Sequence, residues 1–247
     1  MRSVCAGKTE PLSPGQKHIP EPCATCAARV LSVCDAIDDC DLDRLAAITR
    51  VHEIEPHRTF VTEGDPADYL FNITEGTVKV YKLLPDGRQQ ITGFLSAGDF
   101  LGLSFQENYG CSAEAVTQVR FCQFPRRKLS QLLTDFPEME RRLLGIASNE
   151  LAAAQDQMLL LGRKTARERV ASFLLMLSRR AVRAGREIDP VILPMTRADI
   201  ADYLGLTVET VSRTFTQLKK AGVVELHEAG IVHLPDPAAL EELGGGI

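Results

Sequence analysis

Between residues 52 and 125 the chain alternates short β-prone runs with turn signals. Glu63-Gly64-Asp65, Thr74-Glu75-Gly76, Pro85-Asp86-Gly87 and Ala97-Gly98-Asp99 separate segments such as Thr77-Val78-Lys79-Val80-Tyr81 and Gln90-Ile91-Thr92-Gly93-Phe94. Turns recurring at roughly 8–12-residue spacing predict a sandwich or antiparallel barrel. Pro85-Asp86-Gly87 marks a hairpin, because proline presets φ and glycine supplies φ > 0.

The period then changes. Residues 137–163 read as one helix with a seam at Leu144, Ala147, Leu151, Ala154, Met158 and Leu161, whose spacings alternate three and four. That is a coiled-coil pattern. A helix packed on its own barrel is the alternative, but a narrow seam with two alanines and no charge suits a second copy better. A shorter helix is expected over 41–48, apolar at Leu42, Leu45 and Ile48. Another is expected from Pro125 to Leu133, and a further one from Thr165 to about Arg183. Gly185 and Asp189-Pro190 break it, and short strands follow over 191–193 and 231–234.

Between those strands, Thr196 with Asp199 fits an N-cap and third-position acid. Ile200, Ala201 and Leu204 form an apolar face, and Gly205 stops the helix. Thr207 caps a second helix with Val208, Val211, Phe215 and Leu218 inward. A helix, a turn containing glycine and a second helix is the helix-turn-helix arrangement. Glu209, Ser212, Arg213, Thr216, Lys219 and Lys220 are left outward. Glutamate can accept from cytosine, arginine can donate twice to guanine, and serine can do either. Arg163, Lys164, Arg167, Arg169, Arg179, Arg180, Arg183 and Arg186, against Glu168 alone, form a candidate phosphate-contacting stripe.

Composition adds limits. The 247 residues are 45% hydrophobic, which excludes wholesale disorder. No apolar run approaches the ~18–20 residues of a membrane span. The first residues lack a secretory pattern, so a cytoplasmic protein is expected. The net charge of −5 argues against DNA only until it is located. Residues 164–247 hold 11 basic and 11 acidic side chains, and residues 1–163 hold 17 and 22. The organisation expected is a flexible arm (1–22), a cysteine segment with a barrel (23–136), a dimerisation helix (137–163) and a DNA-binding domain (164–247).

The order of barrel, long helix and helix-turn-helix with Glu209-x-x-Ser212-Arg213 resembles the CRP/FNR superfamily of bacterial transcription regulators. The segments from Gln155 to Ala166 and from Leu204 to Arg213 closely resemble its FNR branch. The resemblance implies an α+β fold: a cyclic-nucleotide-binding-like β-barrel (jelly roll), a long dimerisation helix and a C-terminal winged helix-turn-helix. It implies a homodimer on double-stranded DNA at TTGAT-N4-ATCAA-like palindromes, read by Glu209, Ser212 and Arg213 with Thr207, Arg180 and Lys219 in support. It also implies an activator with RNA polymerase as partner, through a surface such as the hairpin at residues 84–88. Leu103 and Cys111 stand where cyclic-nucleotide binders carry the ribose-binding glutamate and the phosphate-binding arginine, so no cyclic nucleotide is expected. An enzyme is not expected either. Cys23-x-x-Cys26 could be a redox pair of a cysteine-based oxidoreductase, but no strand–helix context surrounds it.

Residues 23–40 hold four of the seven cysteines. Three local thiolates plus a distant one suit a cubane iron–sulfur site, since each iron takes one cysteine. The resemblance implies a [4Fe-4S] cluster on Cys23, Cys26, Cys34 and Cys122 that controls anaerobic gene expression by sensing oxygen. Cys40 competes with Cys34 for the third position. Cys111 reads as a small buried hydrophobe and Cys5 as a bystander. Zinc is the alternative metal, although four-thiolate zinc sites usually use two close pairs and only Cys23/Cys26 is close. His18, His52 and His57 lack an axial-ligand context for haem. A redox-insensitive relative stays open. Ala154 has no acid beside it on the seam, so the dimer is expected to survive cluster loss in part.

Overall fold

The computed structural model describes Glu21, residues 23–104 and residues 106–245. The expected arm, with Cys5 and His18, lies outside the described residues apart from Glu21. The first described elements are three 3-10 turns, Cys23–Thr25, Arg29–Leu31 and Val33–Ala36, followed by helix α1 at Leu42–Ala46.

Eight strands follow: β1 Arg50–Ile54, β2 Thr59–Val61, β3 Tyr69–Glu75, β4 Val78–Leu83, β5 Gln89–Leu95, β6 Phe100–Leu101, β7 Ser112–Ala115 and β8 Val119–Pro125. They form two four-stranded sheets ordered β1-β8-β3-β6 and β2-β7-β4-β5. The β4–β5 hairpin closes where the sequence places it, with Leu84 N donating to Arg88 O at 2.8 Å and Gly87 at φ +84°. Phe71, Ile73, Val78, Val119 and Phe121 fill the space between the sheets. Strands alternate their faces, so Leu70, Asn72 and Thr74 of β3 point the other way, beneath the N-terminal turns.

Helix α2 (Arg126–Asp135) leads to α3 (Pro137–Arg163). Pro137 occupies the first turn of α3, with Glu138 and Glu140 beside it. Proline loses no helical hydrogen bond there, and acids oppose the positive end of the helix dipole. Met139 of α3 is buried in one core with Val33, Cys34, Leu70, Cys122 and Leu129, with Leu143 and Ile146 packed alongside. The long helix therefore rests on the Cys34 turn.

The C-terminal half comprises α4 (Ala166–Arg183), β9 (Val191–Ile192), α5 (Arg197–Leu204), α6 (Val208–Lys220), β10 (Glu225–Leu226), β11 (Ile231–His233) and α7 (Pro237–Leu243). The three strands form a wing ordered β10-β11-β9. Thr165/Glu168 and Thr196/Asp199 each form a reciprocal capping box. Gly205 ends α5 in the left-handed region at φ +60°. A Cβ there would stand 3.2 Å from Leu161 Cδ2. Helix α7 is absent from the sequence expectation. Its signal was Asp236, which caps Ala239 N at 2.9 Å, ahead of Leu240 and Leu243.

A single core joins this half to the barrel. Tyr81, Ile91 and Phe94 share it with Phe173, Leu174, Ile200, Tyr203, Phe215 and Leu218. Phe94 and Tyr203 centroids lie 5.3 Å apart, and Phe173 lies 5.5 Å from Tyr203. Burying each such aromatic contributes about 1.5–3 kcal/mol. No described helix is long and apolar enough to cross a membrane.

Candidate DNA-reading face, dimer seam and cysteine pocket

Helix α6 carries the candidate reading face. Val211, Phe215 and Leu218 are buried as expected, whereas Val208 is 41% exposed and Thr214 takes an inward place. The hydroxyl of Thr214 donates to Thr210 O at 2.7 Å, which is why a polar residue tolerates burial there. Glu209, Ser212, Arg213, Thr216, Lys219 and Lys220 are all exposed on the opposite side. The Glu209 carboxyl is held below the usual carboxylate range by its own backbone amide and then by the Thr207 hydroxyl. It is therefore an acceptor at neutral pH. Thr207 is committed to the helix, accepting from Thr210 N at 3.2 Å. The Arg197 guanidinium lies 3.5 Å over the Phe215 ring and braces the two helices.

The basic stripe divides in two. Arg163, Arg167, Arg183 and Arg186 are exposed. Arg180 is not where phosphate binding needs it. Its Nη1 donates to Phe94 O, and it stands 3.6 Å from Asp99, both in the barrel half. Lys164 donates to Gly244 O at 2.6 Å and Ser172 Oγ at 2.9 Å. Arg169 donates to Leu161 O, Lys164 O and Leu204 O at 2.8–2.9 Å. Lys164 and Arg169 are drawn inward by carbonyls at helix ends that lack backbone partners, and Arg180 by a carbonyl of the edge strand β5.

On α3, Leu144 (70% exposed), Leu151 (61%) and Met158 (68%) stand out from the chain, and Ala154 is exposed with them. Ala147 is half-buried. Leu161 departs from the seam. It packs into the core shared with the C-terminal half, against Gly205. The usable seam therefore ends near Met158.

The third feature joins two distant segments. Cys23, Cys26, Cys34 and Cys122 line one small pocket of about 30 Å³, with Arg29, Asn72, Thr74 and Arg120. Cys34 and Cys122 are buried and Cys23 is half-buried. Burial pushes the Cys34 thiol up to about 11. Burial, then the nearby Cys34, Cys26 and Cys23, pushes Cys122 up to about 12. Cys23 is also raised, by burial and then by Cys26. Each sulfur is thus within electrostatic reach of the others. Cys40 is exposed with its Sγ against Asp41 and does not line the pocket. Cys111 is half-buried beside the inter-sheet core.

Among the described residues, no three His, Cys, Asp or Glu side chains are placed to hold one metal ion. A mononuclear thiolate site gathers its sulfurs about 2.3 Å from one centre. A cubane gives each iron its own cysteine, so its ligands stand wider apart. Four thiolate donors are the ligand chemistry of an iron–sulfur cluster, in which each iron takes one cysteine, and equally of a four-thiolate zinc site. The backbone hydrogen bonds seen for residues 23–31 close within residues 23–32, so no ladder ties this wall to the barrel.

A larger open cavity of about 1310 Å³ lies between barrel and helices, and its lining includes Leu103, Cys111 and Arg180. At the two positions singled out in the sequence the barrel offers it an apolar side chain and a thiol.

Comparison with known proteins agrees with this architecture. The Crp-like helix-turn-helix domain family matches residues 168–243 and the cyclic nucleotide-binding domain family matches residues 51–136. The chain is 42% identical over 221 residues to the nitrogen fixation regulation protein FixK of Bradyrhizobium diazoefficiens, covering 90% of this chain and 93% of that one. It is 36% identical over 227 residues to the transcriptional activator protein FnrL of Cereibacter sphaeroides, covering 90% and 92%. The solved structure of FixK2 from Bradyrhizobium japonicum matches with a TM-score of 0.74 and 37% identity, over 79% of this chain and 97% of that one. With its barrel, long helix and exposed reading helix, the chain belongs to the CRP/FNR superfamily of DNA-binding transcription regulators.

Proposed function

We propose that this protein is an oxygen-responsive transcription activator of the cytoplasm. It acts as a homodimer on TTGAT-N4-ATCAA-like palindromes, with a [4Fe-4S] cluster held by Cys23, Cys26, Cys34 and Cys122. The observation that carries the reading is the convergence of those four cysteines, from two ends of the sensor half, on one pocket. A bound cluster would supply oxygen sensitivity through the reactivity of its iron and sulfide toward dioxygen. The protein's own part is mechanical. The turn bearing Cys34 packs on the first turns of α3, so holding that turn in place sets the long helix. Leu144, Leu151 and Met158 of α3 then meet a second copy, and Arg169 joins the far end of α3 to the helix-turn-helix. Two reading helices related by a dimer axis match a palindrome by symmetry. The cavity beside the barrel serves no cyclic nucleotide in this reading, since Leu103 and Cys111 replace the residues that would hold one. The exposed hairpin at residues 84–88 offers a surface for RNA polymerase.

Iron and sulfide content after anaerobic reconstitution tests the reading. Broad visible absorbance is expected, lost in Cys34→Ser and Cys122→Ser and kept in Cys40→Ser, with air lowering DNA affinity. Protein that takes up no iron and binds DNA equally in air would instead be a redox-insensitive regulator.

A further inference from the structure

Asn72 lies at the centre of β3, 1% exposed, and neither its side-chain oxygen nor its nitrogen has a hydrogen-bond partner. Buried amides are otherwise almost always paired, because they lose water on burial. Asn72 stands directly across the ladder from Cys122. Residues paired across antiparallel strands share a face, so its amide points where the Cys122 sulfur points. That face is the cysteine pocket, which Asn72 lines together with all four sulfurs.

Four other polar groups there are already engaged. The Thr49 hydroxyl donates to Leu45 O at 2.7 Å and the Thr74 hydroxyl to Arg120 O at 2.9 Å. Arg29 pairs with Asp39, and Arg120 stands 3.6 Å from Glu75. Leu45 and Phe124 complete an apolar surround. An amide in this position has an uncommitted N–H on the face that carries the Cys122 thiol.

We propose that Asn72 is a positioning residue for the group the four cysteines hold, donating its side-chain N–H to a sulfur of the cluster or of Cys122. This rests on the iron–sulfur reading above. Such donors stabilise negative charge on sulfur, and hydrogen bonds to the sulfurs are among the factors that set cluster potential and retention. A purely structural role predicts that removing the amide destabilises the metal-free chain, whereas an unpaired buried amide is a liability there and its removal is neutral or stabilising.

Asn72→Leu keeps the volume and removes both polar atoms. In the metal-free protein it should leave Tm unchanged or raise it by about 2–4 °C. In the reconstituted protein it should lower the midpoint potential and speed anaerobic loss of iron to a chelator by about tenfold. Asn72→Gln, which keeps an N–H, should recover part of the retention. Destabilised metal-free Asn72→Leu protein, with wild-type potential and iron loss after reconstitution, overturns the proposal and leaves the iron–sulfur reading standing. Wild-type protein that takes up no iron or sulfide overturns both.

Discussion

Lys79, on strand β4 of the barrel, holds Asp199 of the helix-turn-helix at 3.1 Å and Glu114 at the same distance. All three side chains are largely shielded, at 13%, 14% and 18% exposed. The same Asp199 carboxylate accepts from Thr196 N and Thr196 Oγ1 in the α5 capping box. One residue thus completes the cap of the first helix of the helix-turn-helix and ties that helix to the barrel.

The pH dependence of this clasp follows from its charges. Burial raises the Asp199 carboxyl, but the Thr196 hydroxyl and amide with Lys79 outweigh it and hold the group below its usual value. Burial lowers Lys79, but Asp199 and Glu114 outweigh it and leave it raised. The Asp199 contribution is therefore present above the unfolded pKa of about 4 and is lost as pH falls through the folded value. The Lys79 contribution is present below about 10.4 and is lost as pH rises through its raised value. Lys79→Met should destabilise by about 2 kcal/mol near neutral pH. Asp199→Asn should flatten the acid limb, as read by thermal unfolding from pH 3 to 7. An unchanged acid limb would remove Asp199 from the account.

Arg169 makes a second link, from the C-terminal turn of α3 to the carbonyl that ends α5. Arg169→Lys keeps the charge and cannot reproduce the fork of donors. We expect a loss of about 1–3 kcal/mol in stability. DNA affinity should fall without any change in the salt dependence of binding. A reduced salt slope would mean that Arg169 reaches phosphate after all.

Leu151 projects from the middle of α3. Leu151→Asp places like charges together on the proposed dimer seam. The dimer dissociation constant should rise at least about a hundredfold, measured by sedimentation, with the unfolding of the chain itself little altered. Leu161→Ala should act differently, lowering stability of the fold because that side chain is packed against Gly205. Equal dimer strength in Leu151→Asp would place the interface elsewhere.

The reading face separates from its surroundings by salt and sequence. Arg213→Ala should cost about 1–3 kcal/mol on a specific site and relax selection at one base pair. Lys219→Ala should weaken binding to all sequences and reduce the salt slope by about 1. Arg180→Ala should leave that slope unchanged, since its guanidinium meets Phe94 O in the barrel half. Titrations at several salt concentrations distinguish the three.

Much of this protein follows from its sequence alone. The Pro85–Gly87 hairpin, the helix over Pro137–Arg163, the Thr196 and Thr207 caps and the Gly205 stop all rest on signals a few residues apart. Backbone capping and side-chain period act locally, so they can be read locally. What the tertiary structure decided is which surfaces those elements turn inward. Arg169 and Arg180 look like Arg163 and Arg167 in sequence, yet only the first two meet carbonyls from other elements. Leu161 keeps the seam's spacing, but the helix-turn-helix arrives to cover it. Cys34 lines the cysteine pocket and Cys40 does not, because β8 pairs beside β3 and the Val33–Ala36 turn lies over them, which brings Cys34 and Cys122 into one core. Asn72 was invisible for the same reason: an amide in a strand becomes informative only when everything around it has been paired.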